Sequence, residues 1–109
     1  MVRAVAKFRI GMQVKHRLHG FRGVVFDVDP VFANTEEWYQ SIPEDRRPRK
    51  DQPFYHLFAE THEKTPYIAY VSEQNLMPDD GPEPIHHPAM DDYFLGMKDG
   101  HFITNRKMN

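Results

Sequence analysis

Apolar and polar residues alternate along the first third of the chain with the period of two that is typical of half-buried β-strands. Over residues 12–17 the even positions hold Met, Val and His, and the odd positions hold Gln, Lys and Arg. Because successive side chains of a strand point to opposite faces, this segment predicts a strand with one buried face. A second strand is predicted over 21–29, after a turn at Gly20. It ends before Pro30, which has no N–H to donate to a ladder.

Two later apolar runs predict a second hairpin. Residues 54–59 and 67–71 are rich in aromatic and β-branched side chains, and a polar turn separates them. A single 3-10 turn after residue 71 then leads into a short closing strand. The strands are short, their turns are tight, and no long amphipathic helix interrupts them. We therefore predict an all-β fold, a small SH3-like (Tudor-like) antiparallel β-barrel of about five strands over residues 8–77.

Two segments lie outside this pattern. The long loop 31–53 contains no clear strand, and it predicts only a short helix over 36–39 with an N-cap at position 34 or 35. After residue 77 the chain becomes rich in Pro and Asp, so 78–109 is predicted to be a linker and an irregular C-terminal tail. A short helix near 91–97 is an open alternative, because apolar residues there have helical spacing.

The absence of cysteine narrows the possible chemistry. None of the 109 residues is Cys, which excludes disulfide scaffolds, thiolate zinc sites and a cysteine nucleophile. The N-terminal residues lack the apolar stretch of a signal peptide, and no window has the apolar length of a transmembrane helix. We expect a cytoplasmic protein that needs no cofactor.

Charge is distributed unevenly along the chain. Residues 1–26 carry six of the fourteen Lys and Arg residues and no acid, so all sixteen acids lie in the remainder, although the net charge is only −2. This asymmetry predicts an oriented contact with a polyanion or with an acidic partner. The open alternative is that the basic N-terminal segment is simply solvated surface.

Glycines recur in and around the first two strands, where a small and strongly coiled sheet needs them. A Cβ would clash where such a sheet bends sharply, so the pattern indicates architecture before function. The pattern consists of Gly11, Val14, His16, Gly20, Gly23, Asp27, Asp29 and Pro30. Later positions that follow at matching separations are Tyr55, His56, Tyr70, Asn75 and Leu76.

Together these residues resemble the YccV-like hemimethylated-DNA-binding family, whose single-domain bacterial members are heat-shock proteins. The resemblance covers residues 8–77 and leaves the basic loop 46–50 and the tail outside the shared pattern. It implies an SH3-like barrel that self-associates as a trimer and binds hemimethylated origin DNA. It also implies a heat-stress role as an adaptor or enhancer for the Lon protease, affecting the stability of the replication initiator protein. Both hypotheses describe a binding protein and not an enzyme.

The candidate DNA contacts are basic residues in two segments. Some lie on the polar face of the first strand and its turn, where they are expected to be presented together, and the others lie in the long loop. Phosphate contacts dominate affinity but carry no sequence information, so these residues do not identify the group that reads the methyl mark. The candidates are Lys15, His16, Arg17, Arg22, Arg46, Arg47, Arg49 and Lys50.

Two other groupings of polar residues have simpler structural explanations. Asp27 and Asp29 can share a face, but an acid–base site needs a cleft and a partner group. A turn-stabilising role for these aspartates is favoured. His16, His19 and His56 are the histidines that can converge on a metal, but their spacing matches no zinc signature, and we predict no metal site.

Four aromatic residues of the predicted third and fourth strands have two interpretations. They can stack on bases, as in single-strand binding platforms, or they can fill the small core. A barrel of this size needs most of its large side chains inside. The core is therefore favoured for Tyr55, Phe58, Tyr67 and Tyr70.

Overall fold

The computed structural model describes residues 6–81, 83–98 and 101–104, and most of the regular structure in them is β-strand. Five strands belong to one antiparallel sheet: β1 (Gln13–His16), β2 (Arg22–Asp29), β3 (Phe54–Glu60), β4 (Pro66–Ser72) and β5 (Leu76–Pro78). Their order across the sheet is β4-β3-β2-β1-β5. The predicted antiparallel β class is confirmed, and each predicted strand is present within a few residues of its expected bounds.

The sheet has two edges. β4 lies at one edge and β5 at the other, and no ladder among the described residues joins them. Because a barrel requires that closure, the predicted SH3-like barrel is not confirmed. The two edge strands are connected by one 3-10 turn, Glu73–Asn75, as the sequence predicted.

The loop between β2 and β3 contains a short helix, as predicted. This helix, α1 (Glu36–Gln40), begins after Thr35, whose Oγ1 accepts a hydrogen bond of 3.0 Å from the Trp38 N–H. Such a cap satisfies one of the N–H groups that have no partner inside the first turn of a helix. A 3-10 turn at Glu44–Arg46 then leads the chain back toward β3.

One face of the sheet carries the main core. Val14 of β1 and Tyr55 and Leu57 of β3 are fully buried there. β2 approaches β3 closely at Gly23, where an added Cβ would lie 3.0 Å from the Leu57 Cβ and 3.0 Å from the Phe58 carbonyl oxygen. A larger residue at this position would force the two strands apart.

The other face of the sheet is covered by the segment that follows β5. Ile85, Met90 and Phe94 are buried against Val24 of β2 and Phe58 of β3. A one-turn helix, α2 (Met90–Tyr93), leads directly into β6 (Phe94–Lys98). β6 pairs in an antiparallel hairpin with β7 (His101–Thr104).

The predicted irregular tail is therefore wrong for residues 90–98 and 101–104, whereas residues 79–81 and 83–89 contain no helix or strand. The alternative helix near 91–97 is present only as the single turn of α2, after which the chain continues as β6. The apolar residues of this segment bury themselves on a distant sheet face, and tertiary packing of this kind overrides a short stretch of helical spacing. Residues 105–109 of the predicted tail, like residues 1–5, lie outside the described residues.

The β6–β7 hairpin is tied to the start of the chain at Gly11. The Phe102 N–H donates to the Gly11 carbonyl at 2.9 Å, and Gly11 has a φ of 94°. A Cβ on Gly11 would lie 2.1 Å from the Phe102 carbonyl oxygen, so both the backbone conformation and the close contact require glycine. None of the helices in the described part of the chain is long and apolar enough to cross a membrane.

Candidate nucleic-acid interface

The turn between β1 and β2 is organised by a buried histidine. The His16 Nδ1 accepts hydrogen bonds of 3.1 Å from the backbone N–H groups of both Leu18 and His19. Burial, and then the nearby His19 ring, lowers the pKa of His16 below its ordinary value. A neutral imidazole is the form that can accept these bonds, so His16 holds the turn and does not face a ligand as a cation.

This turn presents a cation and a large apolar side chain to solvent. Arg17 is exposed, and its Nε donates to the Leu76 carbonyl at 3.1 Å, while its two terminal NH2 groups form no hydrogen bond with any described residue. Its backbone N–H donates to the Asn75 carbonyl at 2.8 Å, which fixes the root of the turn. Leu18, the next residue, is 74% exposed. The result is a guanidinium and an isobutyl group side by side on a rigid turn.

Lys15 and Arg22 lie opposite each other on the β1–β2 ladder but have different surroundings. Lys15 is half-buried and forms no ion pair with any acid in the described part of the chain. The Arg22 Nε donates to the Asp79 Oδ2 at 2.6 Å, one of its NH2 groups donates to the Glu83 carbonyl, and the other lies 3.9 Å from the Glu60 Oε1. The three hairpin cations are thus not presented equally, since only 19% of the Arg22 side chain is exposed.

The carboxylate partner of Arg22 is held ionised. Burial by itself would raise the pKa of Asp79, but hydrogen bonds from Arg22, from the Gln13 amide and from the Gly81 N–H hold it below its ordinary value. Gln13 also donates to the Glu83 carbonyl and accepts from the Ile85 N–H. This network joins the hairpin to the segment after β5 and stabilises the fold.

Two cations of the long loop also bind within the protein. Arg47 donates to the Ile42 carbonyl at 2.9 Å and to the Gln40 carbonyl at 3.2 Å. Lys50 lies 2.6 Å from the Glu36 carboxylate and 4.4 Å from the centre of the Tyr39 ring. These contacts close the loop on itself, so the two cations are less available to a phosphate.

The remaining loop cations are more open. Arg49 is exposed and pairs only with its near neighbour Asp51, at 3.1 Å and with both side chains largely in solvent. Arg46 is exposed and has no ion-pair partner among the described residues. Arg46 lies at the rim of a groove between this loop and the β1–β2 turn, and it is therefore on the same side of the molecule as Leu18.

The residues Asp27, Asp29 and His56 form a compact polar cluster. The Asp29 Oδ2 lies 2.9 Å from the His56 Nε2 and accepts a hydrogen bond of 2.9 Å from the Tyr70 hydroxyl. Asp27 accepts from the adjacent Val28 N–H, and the ligand atoms of the three residues lie within 4.8 Å of one another. Burial and the nearby Asp29 raise the pKa of Tyr70 to about 12. The hydrogen bonds that these side chains form are sufficient to explain why they lie close together.

The three histidines considered as possible metal ligands do not form one cluster among the described residues. The rings of His16 and His19 stack with centroids 4.6 Å apart, whereas His56 is bound to Asp29. Among the aromatic candidates, Tyr55 and Phe58 are buried in the core, as favoured, while Tyr67 and Tyr70 are half-buried. The Tyr55 hydroxyl donates to the Glu73 carboxylate at 2.7 Å, and burial, then this carboxylate, raises the Tyr55 pKa.

The remaining residues of the glycine-rich pattern are mostly buried or half-buried and shape the sheet, although Pro30 is exposed where β2 ends. Gly20 has a φ of 74° in the β1–β2 turn, and Leu76 is fully buried beneath it in β5. Sequence reasoning missed Leu18, because an apolar residue in a turn carries no periodic signal. Its position between Arg17 and His19, in a turn that ends in glycine, was the available clue.

A family model described as "Hemimethylated DNA-binding protein YccV like" matches residues 6–101. The match therefore includes α2 and β6, beyond the residue 77 at which the sequence resemblance was placed. This extent agrees with the packing, because Ile85, Met90 and Phe94 complete the second core of the sheet.

Proposed function

The chain belongs to the YccV-like family of hemimethylated DNA-binding proteins, and we propose that it binds hemimethylated duplex DNA with the tip of its β1–β2 hairpin. The observation that carries the proposal is the exposed pair Arg17 and Leu18 on a turn that His16 holds rigid. Lys15, which has no ion pair with a described acid, adds a second cation on the same strand. Arg46 adds a third from the loop.

The charged and apolar side chains at the tip of the hairpin suit the recognition of a methyl group in the major groove of DNA. The major groove of B-DNA admits a two-stranded β-ribbon, and base-linked methyl groups are recognised there by apolar contact. Arg17 supplies the phosphate or base-edge contact that positions the ribbon, and Leu18 supplies the apolar surface that contacts the methyl group. Few cations take part, so each protomer binds weakly, and the trimer implied by the resemblance would increase affinity through avidity.

Fluorescence anisotropy with labelled duplexes of one sequence tests the proposal. The wild-type chain is expected to bind the hemimethylated duplex more tightly than the unmethylated and fully methylated duplexes. Arg17→Ala should weaken binding to all three duplexes and lower the salt slope by about one. Arg49→Ala is the matched control, because Arg49 is also exposed but pairs with Asp51 and does not line the groove beside the β1–β2 turn. Binding that does not change with salt would refute the electrostatic contact.

A second candidate function follows from the same resemblance. In it, the chain is a heat-stress adaptor that alters degradation of the replication initiator protein by Lon, and the excess of acids beyond residue 26 favours contact with a protein. Degradation of the purified initiator protein by purified Lon, with and without the chain, tests this role.

Analytical ultracentrifugation tests the proposed trimer. We propose that the fold is SH3-like in its strand order, β4-β3-β2-β1-β5, with the edges of β4 and β5 left unpaired.

A further inference from the structure

A groove separates the long loop from the edge of the five-stranded sheet. It has a volume of about 650 Å³ and runs between the loop, the β1–β2 turn and β4. Its apolar lining combines aliphatic side chains, Leu18 and Ile42 among them, with aromatic rings that include Phe21, Trp38, Tyr67 and Tyr70. The Trp38 and Tyr70 rings pack edge to face, with centroids 5.3 Å apart, so the loop side of the groove is fixed to the sheet.

The β4 side of this groove is an unpaired strand edge. The Glu73 N–H donates to the Pro53 carbonyl at 2.9 Å, and β4 continues from there in antiparallel register with β3. Because bonded and non-bonded pairs alternate in such a ladder, the N–H and C=O groups of Tyr70 and Ser72 point away from β3. These groups have no backbone partner in the described part of the chain.

A buried hydroxyl at the same edge also lacks a partner. Ser72 lines the groove and is 2% exposed, and its Oγ has no hydrogen bond among the described residues. A buried polar group without a partner is costly, and an incoming chain with backbone donors and acceptors would satisfy it. The edge and the hydroxyl together favour a peptide backbone over a base or a phosphate.

The charge of the groove indicates which kind of peptide would bind. None of the described residues that line it is Asp or Glu, although the chain has sixteen acids. Its ionisable lining consists of Arg46 at the rim and the stacked pair His16 and His19 at the turn. One exposed arginine beside an apolar lining, with no acid among the described lining residues, complements a peptide that alternates acidic and apolar side chains.

The geometry points to a peptide-binding site: the groove takes an extended acidic segment of another protein, which adds to the edge of β4 as a further strand. Backbone hydrogen bonds to Tyr70 and Ser72 supply affinity, and the aromatic lining receives alternate apolar side chains. Arg46 pairs with an acid of the segment. The two proposals share Leu18 and Arg46, which line the groove, whereas Arg17 does not line it and belongs only to the proposed DNA contact.

The chain contains one tryptophan, Trp38, which reports directly on the groove. The probe is a short synthetic peptide in which Asp and Glu alternate with Val and Phe, and its counterpart carries Lys in place of the acids. The acidic peptide is expected to shift the Trp38 emission in a saturable way, and the lysine peptide is not. An equal response to both peptides, or none to either, would overturn the proposal.

Two variant pairs locate the bound peptide. Ser72 has a φ of −69°, close to the value of about −65° that proline imposes, so Ser72→Pro removes the outward N–H without changing the backbone. Ser72→Pro should weaken peptide binding about tenfold, and Ser72→Ala, which keeps the N–H, should weaken it less. Arg46→Glu should weaken it about tenfold and Arg49→Glu should not. The arginine pair decides the question if Ser72→Pro does not fold.

Two other occupants would give different results. If a hemimethylated or single-stranded oligonucleotide shifts the Trp38 emission and displaces the acidic peptide, the groove belongs to the nucleic-acid site. If the emission shifts with protein concentration alone, the occupant is a second copy of the chain. Either result overturns the proposal. Arg17→Ala should leave peptide binding unchanged, which separates a failure of this inference from a failure of the DNA proposal.

Discussion

The β1–β2 hairpin and the long loop are the two basic segments of this chain, and their cations have different surroundings. In the loop, Arg47 binds two backbone carbonyl groups and Lys50 binds the Glu36 carboxylate, so the donors of both cations are satisfied within the loop itself. In the hairpin, Arg17 uses one nitrogen to bind the Leu76 carbonyl and keeps its other donors in solvent. The comparison shows that a basic stretch is a binding surface only where local acids and carbonyls do not occupy its donors.

Gly23→Val should lower the unfolding free energy more than the other variants, because it distorts the β1–β2 hairpin and leaves the sequence of the long loop intact. The new side chain would overlap Leu57 and the Phe58 carbonyl, where β2 and β3 are closest. We expect a loss of about 2–4 kcal/mol of unfolding free energy, in the range of severe overpacking. Chemical denaturation measures it. An unchanged midpoint would mean that the strands can separate at this position without penalty.

Arg22→Ala should have the next largest effect and should distinguish a structural cation from an exposed one. It removes the guanidinium that pairs with Asp79 and lies near Glu60. Asp79 keeps its bonds from Gln13 and Gly81, and Glu60 keeps Lys64, but both carboxylate side chains are more than nine-tenths buried. We expect a loss of about 2 kcal/mol, reduced from that of a fully buried pair because Arg22 itself is partly exposed. Arg49→Ala is the control and should change the unfolding free energy by less than about 0.5 kcal/mol. Equal losses of unfolding free energy in Arg22→Ala and Arg49→Ala would contradict a structural role for Arg22.

The pH dependence of stability tests how the hairpin turn is held. The pKa of His16 is lowered in the folded state, chiefly by burial, so the unfolded state binds more protons. The stabilisation by His16 is therefore present above its ordinary pKa of about 6.5 and is lost as the pH falls. In His16→Asn the amide oxygen can accept the same two turn bonds, so its melting temperature should fall less on acidification. Identical pH profiles would show that folding does not lower the pKa of His16.

The sequence predicted the five-stranded sheet because alternation and glycine placement are local signals. It did not predict the second core, because Met90 and Phe94 have helical spacing and the partners of this segment, Val24 and Phe58, are distant in sequence. Packing against a distant sheet face therefore decided the structure of this segment.

The same limit applies to the candidate site. Arg17 and Arg22 look equivalent in the sequence, and only the fold shows that Arg22 meets Asp79, 57 residues away. Leu18 could not be recognised as an exposed reader before His16 was seen to hold its turn. The sequence identifies the basic residues and their charge, but only the fold shows which of their N–H donors are available to a ligand.

The central claim is that the hairpin tip reads the methyl mark through Leu18, and one variant pair tests it most directly. Leu18 and Leu95 are 74% and 75% exposed, but Leu95 lies in β6, so Leu18→Ser and Leu95→Ser remove equally exposed apolar groups at different places. The measurement is the ratio of the dissociation constants for the unmethylated and hemimethylated duplexes. We expect Leu18→Ser to bring this ratio close to one and Leu95→Ser to preserve it. A preserved ratio in Leu18→Ser would contradict the account.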